Sequence, residues 1–171
     1  YGVKIGFTSF TPDIGKDPFY KADSKLYYVL RGIHLNNVKP YHGDKRDVPF
    51  VSLDDLINYH TLEAVERKIN HVRQDLVGLQ SMPPKNSNDY IPIIKHYHVL
   101  MKIGLLLNRV EVEGYDQVYN EFYSILSDHN FIKLPRMLDV FADLTSNDYA
   151  VILNSIELFT NQFSEFNRAR G

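Results

Sequence analysis

The stretch from Ile91 to Asn108 constrains the fold of this chain more than any other. Wound as an α-helix at about 100° per residue, it is apolar almost all round and has most of its polar side chains on one narrow stripe that continues to Arg109. The stripe consists of Lys95, His98, Lys102 and Arg109. A helix that is apolar on most faces needs neighbours on several sides. The run is shorter than the roughly 20 apolar residues that a bilayer requires, so it predicts a central helix and no transmembrane span.

The segment before it carries a heptad-like seam. From Thr61 to Leu79 the apolar residues recur at steps of three and four, which predicts a helix whose seam packs on the central helix. The seam residues are Leu62, Val65, Ile69, Val72, Leu76 and Leu79. Ser52 and Asp55 resemble a capping box, with an acid in place of the usual Glu or Gln. We therefore expect the helical region to begin at Ser52.

Three more helices are expected after the central one. The range from Gly114 to Asp128 has one apolar face, Pro135 suits a helix start, and Ser146 or Asn147 can cap a last helix. The expected buried residues are Tyr115, Val118, Tyr119, Phe122, Ile125 and Leu126, then Met137, Leu138, Phe141 and Leu144, then Tyr149, Ile152, Leu153, Ile156, Phe159 and Phe163. The first and last of these helices look alike at an offset of 34 residues. The fold class is thus mainly α, a multi-helix bundle or helical-hairpin array.

Residues 1–51 form a predicted arm, extended and mostly irregular, and residues 52–171 form the α-helical domain. The arm combines a short strand pattern, proline-containing turns and one short helix from Ala22 to Ile33 that Gly32 should stop. Seven aromatic residues lie between positions 7 and 41, namely Phe7, Phe10, Phe19, Tyr20, Tyr27, Tyr28 and Tyr41, and the strand pattern comprises Val3, Ile5 and Phe7. Disordered tails are usually poor in aromatics, so we expect an ordered arm that makes much of its contact outside its own helical domain.

The amino-acid composition excludes several kinds of site and disfavours one class of partner. The chain has no cysteine, which excludes disulfides, thiolate zinc sites and a cysteine nucleophile. A formal net charge of −2 gives no global attraction to nucleic acid, so that partner is not favoured. The basic end, Arg168 and Arg170, and one mixed patch are the only local exceptions. That patch consists of Lys39, His42, Lys45 and Arg46 with Asp44 and Asp47 among them.

Candidate sites are weak on sequence grounds. His96 and His98 lie two residues apart, about 200° on a helix, so one ion cannot bind both. His71 and Asp75 have the i,i+4 spacing that stabilises a helix modestly. The remaining candidate ligands, in a loop-like segment, are His34, His42 and Asp44. Gly15-Lys16 lacks the phosphate-loop pattern. We therefore expect no catalytic residue, no cofactor-binding residue and no stoichiometric metal.

The expected function follows from a helical domain, an aromatic arm and an absence of recognisable chemistry. We expect a non-enzymatic structural or accessory subunit of a larger multi-protein assembly, with other protein subunits bound through the arm. Because the chain starts at Tyr1, an intracellular and mitochondrial location after presequence removal is one interpretation. The assembly would then be a respiratory, ATP synthase or ribosomal particle. Two alternatives are a helical adaptor or RNA-binding repeat-like module, and a viral or phage structural protein.

Overall fold

The computed structural model describes residues 24–35, 46, 50–81, 89, 91–136 and 146–171, with the side chains of 24–27, 91–93 and 146–148 left out. This part of the chain contains six α-helices, a 3-10 turn and no strand, which confirms the mainly α fold class. The elements are α1 (Ser24–His34), α2 (Leu53–Tyr59), α3 (Leu62–Ser81), α4 (Ile91–Leu107), α5 (Tyr115–Ile125), the 3-10 turn (Ser127–His129) and α6 (Ser146–Arg168). None of the described helices is long and apolar enough to cross a membrane.

The chain divides into two compact units, Tyr1–Tyr59 and His60–Gly171. In the first unit, α1 packs against α2. The buried side chains are Leu30, Ile33, Val51 and Leu56. The helix predicted up to Ile33 continues through Gly32 to His34, so the expected stop at Gly32 is wrong. A glycine costs a helix interior only about 1 kcal/mol, and burial of the apolar residues on either side offsets that cost.

The capping box predicted for Ser52 and Asp55 is confirmed. The Asp55 carboxylate accepts hydrogen bonds from the Ser52 backbone N–H at 2.7 Å and from its hydroxyl at 2.6 Å. The Ser52 hydroxyl in turn accepts the Asp55 backbone N–H at 3.1 Å. The two bonds to Ser52 hold the pKa of Asp55 below its ordinary value. A shorter side chain than Glu therefore still closes the reciprocal arrangement at the start of α2.

In the second unit, α3 begins after Thr61, whose hydroxyl accepts the Ala64 N–H at 3.2 Å. The central seam residues are buried as predicted, namely Val65, Ile69, Val72 and Leu76. The helix that carries the seam packs on α6 as well as on the central helix α4. The sequence pattern predicts only the contact with α4. Helix α6 runs antiparallel to α3, because Ser164 donates to the Glu66 carboxylate and the Tyr149 hydroxyl donates to the Leu79 carbonyl.

Helix α4 is the central helix that the sequence predicts, and both Leu100 and Leu106 are buried in it. The polar stripe is only partly right. His98 is buried, and Arg109 follows the helix end with a left-handed backbone φ of 61°. Asn108 ends α4 by donating its side-chain amide to the Gly104 carbonyl at 2.9 Å.

The irregular segment of residues 131–136 is held by tyrosine hydroxyls. Tyr119 donates to the Leu134 carbonyl at 2.6 Å, Tyr123 to the Ile132 carbonyl at 2.8 Å and Tyr97 to the Pro135 carbonyl at 2.8 Å. Each ring packs in the core while its hydroxyl satisfies a backbone acceptor that lacks a helical partner. Hydrogen bonds from three tyrosine hydroxyls thus take the place of the backbone hydrogen bonds of a helix or strand in this segment.

Some sequence expectations about the C-terminal half are wrong, and others concern residues that the structure does not describe. Tyr115 and Ile125, predicted on the buried face of α5, are exposed, because α5 turns only Val118, Tyr119 and Phe122 inward. Pro135, where a helix start is expected, lies in the irregular segment, close to the end of the described range 91–136. The residues of that expected helix, Met137, Leu138, Phe141 and Leu144, lie outside the described residues, as does the strand pattern of Val3, Ile5 and Phe7. Helices α5 and α6 have 11 and 23 residues, so the likeness at a 34-residue offset is not one of length.

Candidate functional site

Three potential metal-ligand side chains meet between α3 and α4. His71 and Asp75 lie one turn apart on α3, and His96 reaches them from the second turn of α4. The Nε2 atom of His96 lies 2.5 Å from the Asp75 Oδ2 atom. The rings of His71 and His96 meet edge to face, with centroids 5.2 Å apart. One ligand atom from each of the three residues lies within 4.8 Å of the other two. We call these residues the His–Asp–His cluster.

The helix positions explain why the cluster forms. The i,i+4 spacing of His71 and Asp75 places both side chains on one face of α3. That face adjoins the seam that packs on α4, so a side chain from the first turns of α4 can meet it. His96 occupies that place and is half-buried, with 17% of its side chain exposed, while Asp75 is 37% exposed. His71 is exposed, so the cluster opens to solvent on one side.

The charge state of His96 follows from its surroundings. Burial lowers the pKa of His96; the Asp75 carboxylate opposes that shift, and the neighbouring Lys68 and His71 side chains lower the pKa further. The ring is therefore neutral at neutral pH. At 2.5 Å its Nε2–H donates to the Asp75 carboxylate. A carboxylate that holds an imidazole in one tautomer is common both beside metals and in acid–base catalysis.

Metal binding and acid–base catalysis require different groups beside the His96 imidazole and the Asp75 carboxylate. Nucleophilic catalysis needs a hydroxyl or thiol within hydrogen-bond reach of the imidazole. Around His96, the contacts that the structure shows are with Asp75 and with the second imidazole, His71. Two imidazoles and a carboxylate are a set of metal ligands rather than a triad.

His98 lies on another side of α4, as the 200° separation from His96 predicts. Its ring stacks on Tyr97 with centroids 5.0 Å apart and meets the edge of Tyr115 at 4.9 Å. Within the described part of the chain, neither of its buried ring nitrogens has a hydrogen-bond partner. Burial lowers the pKa of His98 to about 4, while the Asp116 carboxylate acts in the opposite direction. His98 is therefore a neutral imidazole enclosed by aromatic rings.

Of the other candidate ligands from the sequence, the structure describes only His34. His34 ends α1 and meets the Phe50 ring at 5.3 Å, while His42 and Asp44 lie outside the described residues. Of the mixed basic patch, only Arg46 is described, and it is exposed; Lys39, Lys45 and Asp47 lie outside.

The basic end of the chain is engaged within its own unit. Arg170 donates to the His60 carbonyl at 3.3 Å and to the Asn167 side chain at 2.9 Å. Arg168 lies 3.7 Å from the Glu66 carboxylate. Burial lowers the pKa of Arg170 from its ordinary value. These contacts tie the end of the chain to the start of the second unit.

The sequence supplied two members of the His–Asp–His cluster and missed the third. The i,i+4 spacing identifies His71 and Asp75 as a pair, but it does not connect them to His96, which lies on another helix. The signal that joins all three is the heptad seam, because it predicts which faces of α3 and α4 meet. The expectation that no metal binds stays a prediction, and the fold brings together three potential ligands that the sequence pattern does not connect. The chain matches no protein-family model, no curated protein and no solved structure.

Proposed function

We propose that this chain is a non-catalytic helical subunit that acts through protein–protein contacts within a larger assembly. The observation that carries the proposal is a pair of apolar residues on the outer face of α6. Val151 and Leu158 are 63% and 53% exposed, and their i,i+7 spacing places them on one face of the helix. The opposite face of α6 is buried in the core, so this pair gives the helix a second, smaller apolar surface among the polar side chains of its exposed face. Such a surface suits contact with a protein partner.

Other exposed apolar residues support the same function. Val77 on α3 is 65% exposed, and Tyr115 at the start of α5 is 45% exposed. Clustered apolar surface marks interaction sites, and aromatic side chains are enriched in interface cores. The arm adds the seven aromatic residues between positions 7 and 41, of which only the Tyr28 side chain falls within the described part. The proposal includes attachment of the chain to other subunits through the arm. It also includes an organellar particle as the assembly.

The charge distribution favours a protein partner over nucleic acid. An RNA-binding module would present uncompensated Lys or Arg side chains along one face. Three basic side chains of the second unit instead lie next to carboxylates. The pairs are Arg67 with Glu63 at 2.8 Å, Arg73 with Glu66 at 3.2 Å and Lys102 with Glu113 at 3.3 Å. The helical adaptor, as a protein-binding alternative, is compatible with this pattern.

The proposal is tested by substituting Val151→Gln and Leu158→Gln together in the full chain. Both side chains are exposed, so the melting temperature of the isolated chain should change by less than about 2 °C. In an extract of the cells that make the protein, the native chain should elute in a particle well above its own 19.9 kDa. The double variant should shift toward the monomer.

A matched control carries Asn154→Gln and Glu157→Gln, which are also exposed positions on α6. The control should remain in the particle. Elution of the unaltered chain at its own mass would contradict the proposal. Retention of the Val151/Leu158 variant in the particle would instead remove α6 as the contact surface.

A further inference from the structure

We propose that the His–Asp–His cluster binds one divalent transition-metal ion of the zinc type and thereby links α3 to α4. The proposal is independent of the assembly function. It rests on three ligand side chains from two consecutive helices whose ligand atoms already lie within 4.8 Å of one another. His71 and Asp75 provide two ligands from α3, and His96 provides the third ligand from α4.

The distances are close to those of a tetrahedral site. Zinc–ligand bonds of 2.0–2.2 Å at tetrahedral angles separate neighbouring ligand atoms by roughly 3.3–3.5 Å. The observed separations range from 2.5 Å, between His96 Nε2 and Asp75 Oδ2, to at most 4.8 Å. Metal entry therefore requires the closest pair to open by roughly 1 Å, and the other pairs to close by no more than roughly 1.5 Å. Side-chain rotation can supply such shifts without moving either helix backbone.

The proton on His96 moves when the metal binds. Without metal, the His96 Nε2–H donates to the Asp75 carboxylate and closes the cluster. A metal bound to Nε2 requires the lone pair of that atom, so the ring carries its proton on Nδ1 instead. Because the ring is neutral to begin with, this change is a tautomer shift and releases no proton from His96. His71 lies on the exposed side, where water can supply a fourth ligand.

The ligand types select the metal. Two imidazole nitrogens and one carboxylate suit Zn²⁺, Co²⁺ and their neighbours in the first transition row. Mg²⁺ and Ca²⁺ prefer oxygen ligands and larger coordination numbers, so neither should bind here at comparable concentration. The nearby Lys68 side chain adds a positive charge that weakens the site, and we therefore expect a moderate affinity rather than that of a four-ligand structural zinc.

The experiment uses the full chain after treatment with a chelator, titrated with Zn²⁺ or Co²⁺ alone. We expect one ion per chain by calorimetry and a visible Co²⁺ spectrum of tetrahedral type. At 100 times the dissociation constant, Zn²⁺ should raise the melting temperature by roughly 5–10 °C, whereas Mg²⁺ should have no effect. His71→Ala, Asp75→Asn and His96→Ala should each weaken binding at least 10-fold.

Two variants separate ligation from folding. His71 is exposed, so His71→Ala should leave the melting temperature of the metal-free chain unchanged while abolishing the rise that Zn²⁺ causes. His129→Ala removes an exposed histidine of the 3-10 turn and should keep the full response to Zn²⁺. The proposal is overturned if the chain binds no ion tighter than about 100 µM, a free energy near −5.5 kcal/mol. It is also overturned if His71→Ala keeps the Zn²⁺ response, or if His129→Ala loses it.

Discussion

At the scale of single residues, Gly104 shows how tightly the second unit is packed. It lies in α4 where the helix approaches the side chains of Phe122, Leu126 and Phe163. An added Cβ would meet Phe122 Cε2 at 2.9 Å and the other two side chains at 3.2 Å. All three neighbours are buried, so none can move away without disturbing the core. We infer that only glycine fits at this helix contact.

We predict that Gly104→Ala destabilises the chain by about 1–3 kcal/mol, because the cost of overpacking exceeds the gain in helix propensity. Gly78 is the matched control, since an added Cβ on this exposed helical residue meets nothing within 4 Å. Gly78→Ala should stabilise by about 0.5–1 kcal/mol. Denaturant unfolding of both variants measures the difference. Equal effects of the two substitutions would show that the close approach at Gly104 relaxes freely.

His60 gives a pH dependence at the residue scale. Burial, and then the positive charge of Arg170, lowers the pKa of His60 from 6.5 to about 4. The unfolded chain therefore binds a proton at a higher pH than the folded chain does. The stability that the neutral, buried ring allows is complete above pH 6.5 and is lost as the pH falls from about 6.5 to about 4.

We predict that the wild-type chain loses roughly 2–3 kcal/mol more stability than His60→Gln over that interval. His98 titrates in the same range but is present in both chains, so the comparison isolates His60. Urea unfolding at pH 7.5, 6, 5 and 4 provides the measurement. Parallel stability profiles for the two chains would mean that His60 is readily protonated in the folded state.

At the scale of secondary structure elements, α4 is the helix with neighbours on several sides. It packs against α3, α5 and α6, and its residue Leu100 is fully buried. Leu100→Ala should cost about 2–5 kcal/mol, because the surrounding helices cannot close the cavity. Leu158→Ala, the same change at the exposed face of α6, should cost less than about 0.5 kcal/mol in the isolated chain. Similar losses at both positions in thermal or denaturant unfolding would show that α4 is not the centre of the core.

At the scale of the whole molecule, the main hydrophobic core lies entirely within the second unit. Its buried members run from Val65 to Phe163, and they come from α3 to α6 and the connecting segments. The two ends of the unit are also tied together, since Asn167 donates to the Leu62 carbonyl at 3.0 Å and Arg170 to the His60 carbonyl. A unit with its own core and joined ends should fold alone.

We predict that residues 60–171 retain their helical circular dichroism and a cooperative melt, but leave the assembly if the arm is an attachment element. A fragment of residues 82–171 is the control. It lacks α3 and with it Val65, Ile69, Val72 and Leu76, so it should lose the cooperative melt. Aggregation of residues 60–171, with a well-behaved monomeric full chain, would show that the first unit belongs to the core and would weaken the assembly proposal.

The sequence by itself determined the local features of this protein. Helix formation depends on contacts three and four residues apart and on caps within one turn, all of which are visible in the chain. The seam of α3, the capping box of Ser52 and Asp55 and the central position of α4 were therefore predictable. Boundaries were less so, because the local preference of Gly32 for a helix end is outweighed by packing.

The tertiary structure alone decided which faces of different helices meet. The burial of His98 depends on the rings of Tyr97 and Tyr115, and the hydroxyls of Tyr119 and Tyr123 find their acceptors in a segment without regular structure. The meeting of His96 with the pair on α3 depends in the same way on how two helices cross. Apart from the stacking of Tyr97 on His98, these contacts join residues of different elements, and no periodicity encodes them, because helix crossing geometry is set by the side chains of both partners together.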